Sequence, residues 1–323
     1  MRIIRPKKLK NGDAVMVVSP SQPISSLRNF NRGVKTLNNL DFEVKLSKYV
    51  NAVFGMYEAG TAEQRNADLM EAFSNKEVKG IFMSGGGFLA NKVLPFLDYN
   101  LIRKNPKVIL GFSDGTTLLN AIFAKTGLVT FHGFSIEHFF KRSTPYTVNS
   151  FSRIVQNSGI HFYPRTNWRI LKPGRITGRL LGGNLLSFVN LLGTSYCPDL
   201  TQSILFFEEH DDYSEDVENS LARLINADIL GGHLVQGIIF GKFVNIAIGS
   251  RDADTKKWKT PKGFTFYQIL KRLFADYPIP VLANVDFGLT NTPLTMPIGV
   301  KAVMDLTGHK ERPYFKLLES AVR

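Results

Sequence analysis

The chain has 323 residues, 44% of them hydrophobic and 21% charged, with a formal net charge of +13. That length exceeds the ~250–300 residues at which one hydrophobic core stops growing, so two domains are expected, and no stretch approaches the ~20 consecutive apolar residues of a membrane span. The basic N-terminus, Met1 to Lys10, lacks the apolar run of a secretory signal, and the single cysteine, Cys197, cannot make an intrachain disulfide; the chain is read as cytoplasmic and Cys197 as a buried structural thiol.

Residues 14–19 form an apolar run that predicts a buried parallel strand. Helical spacing over 26–40 follows, then an alternating strand at 42–46. Thr61 with Gln64 three residues later is a capping box opening a helix over 61–74. A strand at 78–83 runs into Ser84-Gly85-Gly86-Gly87, and a strand at 108–110 ends at Gly111. A helix at 116–125 stops at Gly127, and a strand at 128–131 follows. Strands alternating with helices imply a parallel sheet, with chemistry beyond the carboxyl ends of its strands. Residues 141–175, with Pro145, Pro164, Pro173 and little periodicity, read as the crossing between domains. The expected division is 1–150 for the first domain, 151–175 for a linker and 176–323 for the second. The second unit opens at Gly178–Leu185 and carries strands at 203–207, 235–240 and 280–283. Helices are expected at about 215–226 and 264–276, and a terminal hairpin spans 300–306 and 314–318 around Gly308.

The 40 Lys and Arg outnumber the 27 Asp and Glu, which raises the question of anionic partners. They are scattered along the sequence, Lys7-Lys8-Leu9-Lys10 is short, and no nucleic-acid motif accompanies them. The charge reads as a solvated surface, with an acidic ligand as the next reading, and with no nucleic acid and no membrane as partner.

The strongest chemical signal is Gly111-Phe112-Ser113-Asp114-Gly115 between a strand and a helix, the context of a nucleophile elbow. Small flanking residues permit the sharp turn, and the helix directs its positive end at a developing oxyanion. The bland alternative is a serine that only caps the helix. Gly85-Gly86-Gly87-Phe88 after a strand reads as part of an oxyanion hole, a phosphate loop or a tight turn. Neither phosphate-loop nor dinucleotide fingerprint is present, and nothing points to a metal or an organic cofactor. Glu208, ending the apolar strand Ile204–Phe207, suits a carboxylate that orients a catalytic histidine, or a solvated loop acid beside Asp211 and Asp212.

In this order, these pieces resemble the L,D-carboxypeptidase family of serine peptidases, whose other branch is the microcin C self-immunity peptidases. The resemblance is densest in Gly86–Tyr99, Asn105–Asp114, Ala124–Gly133, Gly178–Leu185, Ile204–Glu208 and Leu294–Gly299. It implies a flavodoxin-like or amidotransferase-like parallel α/β domain followed by a β-rich α/β domain, a homodimer, and a site between the domains. It also implies hydrolysis of an amide bond next to a free carboxylate, in a murein L,D-peptide or a microcin-like peptidyl-nucleotide. Ser113 matches the nucleophile, Glu208 the acid, and the N–H groups of Phe88 and Asp114 the oxyanion hole, with Gly86, Gly87 and Asn184 at the substrate.

The family's histidine falls in Asp286-Phe287-Gly288-Leu289-Thr290, where Leu289 stands instead. Leucine moves no proton, and a serine hydroxyl without a base is a poor nucleophile. A catalytically impaired binding protein is therefore the alternative to an active hydrolase. Among the six histidines, His132 in Phe-His-Gly reads as structural and His210 could swing inward toward Glu208. His233 and His309 lie in predicted loops with no argument for proximity, and the bland reading of all six is a surface or satisfied core histidine. Trp168 is the candidate for a nucleotide-contacting tryptophan, its other reading a half-buried linker aromatic.

Overall fold

A computed structural model describes residues 2–157, 161–162, 164–230, 234–246, 266–307 and 313–323. The elements are, in order, β1 (Ala14–Val18), α1 (Leu27–Asn39), β2 (Glu43–Leu46), α2 (Ala62–Ser74), β3 (Val78–Met83), α3 (Tyr99–Lys104), β4 (Val108–Gly111), α4 (Gly115–Thr126), β5 (Thr130–His132), α5 (Ile136–Arg142) and α6 (Pro145–Val155). They continue with β6 (Arg169–Lys172), β7 (Arg175–Asn184), α7 (Leu185–Val189), β8 (Ser203–His210), α8 (Ser214–Asn226), β9 (Val235–Val244), α9 (Phe266–Leu273), β10 (Val281–Ala283), β11 (Met296–Ile298), β12 (Lys301–Asp305) and β13 (Tyr314–Leu317).

The first sheet has the order β11-β5-β4-β3-β1-β2. Its strands are parallel except β11, which runs antiparallel to β5 with Met296 opposite His132. All five residues of β1 are buried, as an inner parallel strand requires, whereas edge strand β2 is only partly covered. Thr61 and Gln64 close the expected capping box on α2, and α4 ends on Gly127 in the left-handed conformation.

The second sheet has the order β13-β12-β7-β8-β9-β10-β6. Its centre, β7 to β10, is parallel, and the flanking strands are antiparallel. Helix α4 joins the sheets. Asn120, one turn from Thr116, donates from Nδ2 to Gly182 O at 2.9 Å, and Thr116 Oγ1 accepts from Asn184 N at 2.8 Å. The helix that follows Ser113 is thus bonded to the backbone of β7. The result is a two-domain α/β fold of mixed sheets.

The structure differs from the sequence reading in five places. The segment 151–175 is not a plain linker: α6 runs to Val155, and β6 pairs with β10. Pro145 opens α6 at its first turn, where a missing N–H costs nothing, so it acts as a start signal rather than a breaker. The strand expected at 128–131 lies at Thr130–His132, with Leu128 bridging Ile4. Cys197 is only half-buried, and that burial still pushes its thiol up to about 11. Finally, the scattered cations converge: residues from 7–10, 76–79 and 104–107 join Arg323 around a cleft of about 890 Å³. A parallel sheet gathers the segments preceding its strands at one end, opposite the end that carries Ser113. Gly308 of the expected hairpin lies outside the described residues, although β12 and β13 do pair antiparallel.

Candidate active site

Ser113 leaves β4 with φ +55°, a left-handed conformation that costs a residue with a Cβ of order ~1–3 kcal/mol. The turn closes through Gly115 N to Phe112 O at 3.0 Å and Thr116 N to Ser113 O at 2.9 Å. Met83, the last residue of β3, packs against both flanking glycines. A Cβ on Gly111 or Gly115 would meet its sulfur at 2.4 or 2.6 Å. The expected strand, turn and helix are all present, with the N-terminal end of α4 behind the serine.

The glycine turn packs against that elbow. A Cβ on Gly86 would lie 2.8 Å from Ser113 Cβ and 2.9 Å from its Oγ, so only glycine allows this approach. The buried Asp114 carboxylate holds the turn in place. Its Oδ2 accepts from Ser21 Oγ at 2.5 Å and from Ala90 N at 2.8 Å, and Oδ1 from Thr117 Oγ1 at 3.3 Å. Burial raises its pKa, and the Ser21, Ala90 and Thr117 donors and the Arg65 charge oppose that rise. Arg65, itself buried, donates to Pro20 O and Leu89 O. Phe88, between Gly87 and Leu89, stands 79% exposed beside the site. It shares a cavity of about 430 Å³ with Pro23, Ile24, Met56 and Tyr57. The sequence reading missed these four apolar residues, since nothing local marks 23–24 and 56–57 as neighbours of 86–89.

Glu208 and Glu209 are successive residues of β8, at a point where its pairing with β9 shifts register. Glu209 is held by Asn184 Nδ2 at 2.5 Å, Leu186 N at 3.0 Å and His210 N at 3.0 Å, and burial pushes it up to about 7. Glu208 is fully buried, and neither oxygen is hydrogen-bonded among the described residues. Burial and the neighbouring Glu209 charge raise it well above the ordinary carboxylate range. The Asn184 amide and the Leu289 N–H lie on the side that lowers it, without closing a bond on either oxygen. Asn184 caps α7 through its Oδ1 and donates from Nδ2 to Glu209. Opposite Glu208 stands His132, also fully buried, with Nε2 3.8 Å from Oε1. Burial, with the His210 ring as a lesser cause, takes this imidazole down to about 3.

Leu289 is half-buried and follows Gly288, whose backbone passes directly against Glu208. With φ +100°, a Cβ on Gly288 would lie 2.7 Å from Glu208 Cβ. The segment is anchored by buried Asp286, which accepts from Arg165 N, Thr166 N, Thr166 Oγ1 and Trp168 Nε1 at 2.6 to 3.2 Å, with Lys242 Nζ at 3.5 Å. Trp168 is therefore a buried strut, 5% exposed, and not a ligand-facing aromatic. Of the histidines, His138 Nδ1 meets Ser135 Oγ at 2.9 Å and His161 bridges Lys316. His210 stacks on Phe112. His233 and His309 lie outside the described residues.

This arrangement offers a strained, accessible hydroxyl at a helix start, a glycine turn against it and a buried carboxylic acid, with leucine where a base would complete the set. Residues 15–133 match the profile of the LD-carboxypeptidase N-terminal domain, and residues 177–304 that of the LD-carboxypeptidase C-terminal domain. A probable murein peptide carboxypeptidase of Bacillus subtilis is 32% identical over 309 residues, 93% of this chain and 91% of that protein. The microcin C7 self-immunity protein MccF of Escherichia coli is 30% identical over 329 residues, 91% of each chain. The structure of MccF in complex with glutamyl sulfamoyl guanosine superposes with a TM-score of 0.86 at 27% identity, covering 99% of both chains. A muramoyltetrapeptide carboxypeptidase from Oxalobacter formigenes gives 0.75 at 25% identity, covering 94% of this chain and 97% of that one.

Proposed function

The chain belongs to the LD-carboxypeptidase family, and on that premise we propose that it is a serine-type hydrolase cleaving an amide bond next to a free carboxylate. The observation that carries this reading is the elbow: Ser113 at φ +55°, with Gly86 packed against its side chain. Ser113 Oγ attacks the scissile carbonyl, and the N–H groups of Phe88 and Asp114 receive the oxyanion, supported by the end of α4. Glu208 serves as the acid of the site. Gly86 and Gly87 line the path of the substrate backbone, and the apolar cavity beside Phe88 receives an apolar part of the substrate. The substrate is a murein L,D-peptide or a peptidyl-nucleotide; a murein peptide is named for the Bacillus subtilis relative, and MccF is seen in complex with glutamyl sulfamoyl guanosine. The resemblance also supports a cytoplasmic homodimer.

A second reading, a binding protein with impaired catalysis, is favoured by Leu289 beside an unpartnered Glu208. One experiment separates the two. An L,D-tetrapeptide and aspartyl sulfamoyl adenosine are incubated with the wild-type chain and with Ser113→Ala. Cleavage by wild type alone is expected. Binding of either compound with no cleavage replaces the hydrolase by the binding protein.

A further inference from the structure

Two imidazoles, those of His132 and His210, pack on the ring of Phe112, the residue before Ser113. His210 ends β8, two residues beyond Glu208, and its ring lies flat on Phe112, with centroids 5.3 Å apart and planes at 10°. Its Nδ1 meets Asp211 Oδ2 at 3.0 Å. Asp211 is itself fixed: its φ is +55°, its N–H donates to Val244 O at 3.1 Å, and Asn245 Nδ2 donates to its Oδ1 at 2.8 Å. Partial burial raises its carboxyl pKa, but the Asn245 amide and the His210 ring outweigh that and hold it below the ordinary range, so it is ionised. A carboxylate on Nδ1 fixes the tautomer that leaves the lone pair on Nε2. That Nε2 is buried and has no hydrogen-bond partner among the described residues.

We infer that the His210–Asp211 pair serves as the base for Ser113, taking the role that Leu289 cannot fill. The inference rests on the reading of Ser113 as nucleophile. As Ser113 Oγ bonds to the carbonyl carbon, its proton passes to His210 Nε2. Collapse of the tetrahedral oxyanion breaks the C–N bond, and the proton goes from Nε2 to the leaving nitrogen. Water then attacks the acyl ester and gives a proton to Nε2; that proton returns to Ser113 Oγ as the ester bond breaks. Apo geometry at such sites is commonly open and tightens on the substrate. The titratable groups facing the ring are Asp211 on its own turn, His132 from β5 and His138 from α5. Burial holds both imidazoles neutral, at about 3 and about 4, so the charges near His210 are that of Asp211 and, as pH rises through about 7, that of Glu209, whose carboxylate accepts from His210 N.

A fluorophosphonate probe tests this without knowledge of the substrate, because phosphorylation of Ser113 with loss of fluoride needs the same proton transfer. Labelling of the full chain is followed by mass spectrometry across pH 5 to 9. Wild type labels at Ser113 with a rate that titrates, and His210→Gln labels at least ~100-fold more slowly. Asp211→Asn, which keeps the ring, shifts the midpoint of the profile, and adding Leu289→His to His210→Gln restores labelling at least ~10-fold. A His210→Gln rate equal to wild type overturns the inference. Wild type unlabelled while Leu289→His labels also overturns it and leaves Ser113 as the nucleophile. Neither chain labelling removes the Ser113 reading itself, and this inference with it.

Discussion

His132 Nε2 and Glu208 Oε1 stand 3.8 Å apart, both side chains fully buried, and neither is hydrogen-bonded among the described residues. Burial opposes charge on each, driving the imidazole down to about 3 and the carboxyl well above its usual range. The pair is therefore an uncharged acid facing an uncharged base, with no cation to draw Glu208 into its ionised form. A histidine at 289 supplies that partner from the backbone that already lies against Glu208. In the His210→Gln chain, Leu289→His is expected to raise hydrolysis of the L,D-tetrapeptide by at least ~10-fold. With Glu208→Gln added, most of the gain is expected to vanish. A gain that survives Glu208→Gln would show that the carboxylate does not orient the introduced ring.

The Asp114 carboxylate predicts a coupled loss of stability and rate. It joins Ser21, Ala90 and Thr117, tying the glycine turn to the elbow. Asp114→Ala leaves these buried donors unpaired and removes the negative charge that Arg65 faces, at an expected cost of ~2–4 kcal/mol in urea unfolding. It also frees the backbone that carries Phe88, so fluorophosphonate labelling should slow by ~10-fold or more in chain that is still folded. An unchanged labelling rate at reduced stability would confine the Asp114 carboxylate to a structural role.

Glu209 predicts a pH dependence whose sign is opposite to that of an ordinary salt-bridged carboxylate. Burial raises it from 4.5 to about 7, against the opposing pull of Leu186 N, Asn184 and His210 N. The folded chain therefore binds the extra proton between these values, and stability falls as pH rises. The contribution is complete below about 4.5 and gone above about 7. It amounts to at most roughly 3 kcal/mol at 1.36 kcal/mol per unit. His132 acts in the other direction, losing stability as pH falls from 6.5 toward about 3. The two overlap, so the wild-type profile alone does not separate them. The difference in unfolding free energy between wild type and Glu209→Gln is expected to decline steadily from pH 4.5 to 7. A flat difference would mean that Asn184, Leu186 and His210 keep the carboxylate ionised.

Local chemistry made the elbow legible: Gly111, Ser113 and Gly115 sit within one turn, and Thr61 with Gln64 signals a helix start by the same short-range logic. Glu208 could be singled out because a carboxylate ends an apolar strand. What stayed hidden depends on partners far along the chain. No period of 2 or 3.6 relates His132 to Glu208, or Asp286 to Trp168. Strand β11 escaped because Pro297 sits in it, and proline is tolerated there only because β11 is an edge strand. The basic cleft escaped for a topological reason, since only the parallel order of β1, β3 and β4 brings residues 7–10, 76–79 and 104–107 together.

Trp168 and Asp286 yield the last prediction, which separates support from recognition. Trp168 Nε1 donates to Asp286 Oδ2 at 2.9 Å, and Asp286 lies two residues before Gly288 and three before Leu289. Asp286→Ala strips four donors of their acceptor and leaves Lys242 without its carboxylate, so a cost of ~3–5 kcal/mol is expected. Trp168→Phe removes one hydrogen bond to a charged group and some packing, so ~1–3 kcal/mol is expected. Because the indole faces Asp286 and is buried, Trp168→Phe should leave the affinity for aspartyl sulfamoyl adenosine within about twofold of wild type, since no contact to the ligand is lost. Calorimetric titration of the two chains decides the point. A tenfold weaker affinity at unchanged stability would return Trp168 to the ligand site and recast Asp286 as the group that presents it.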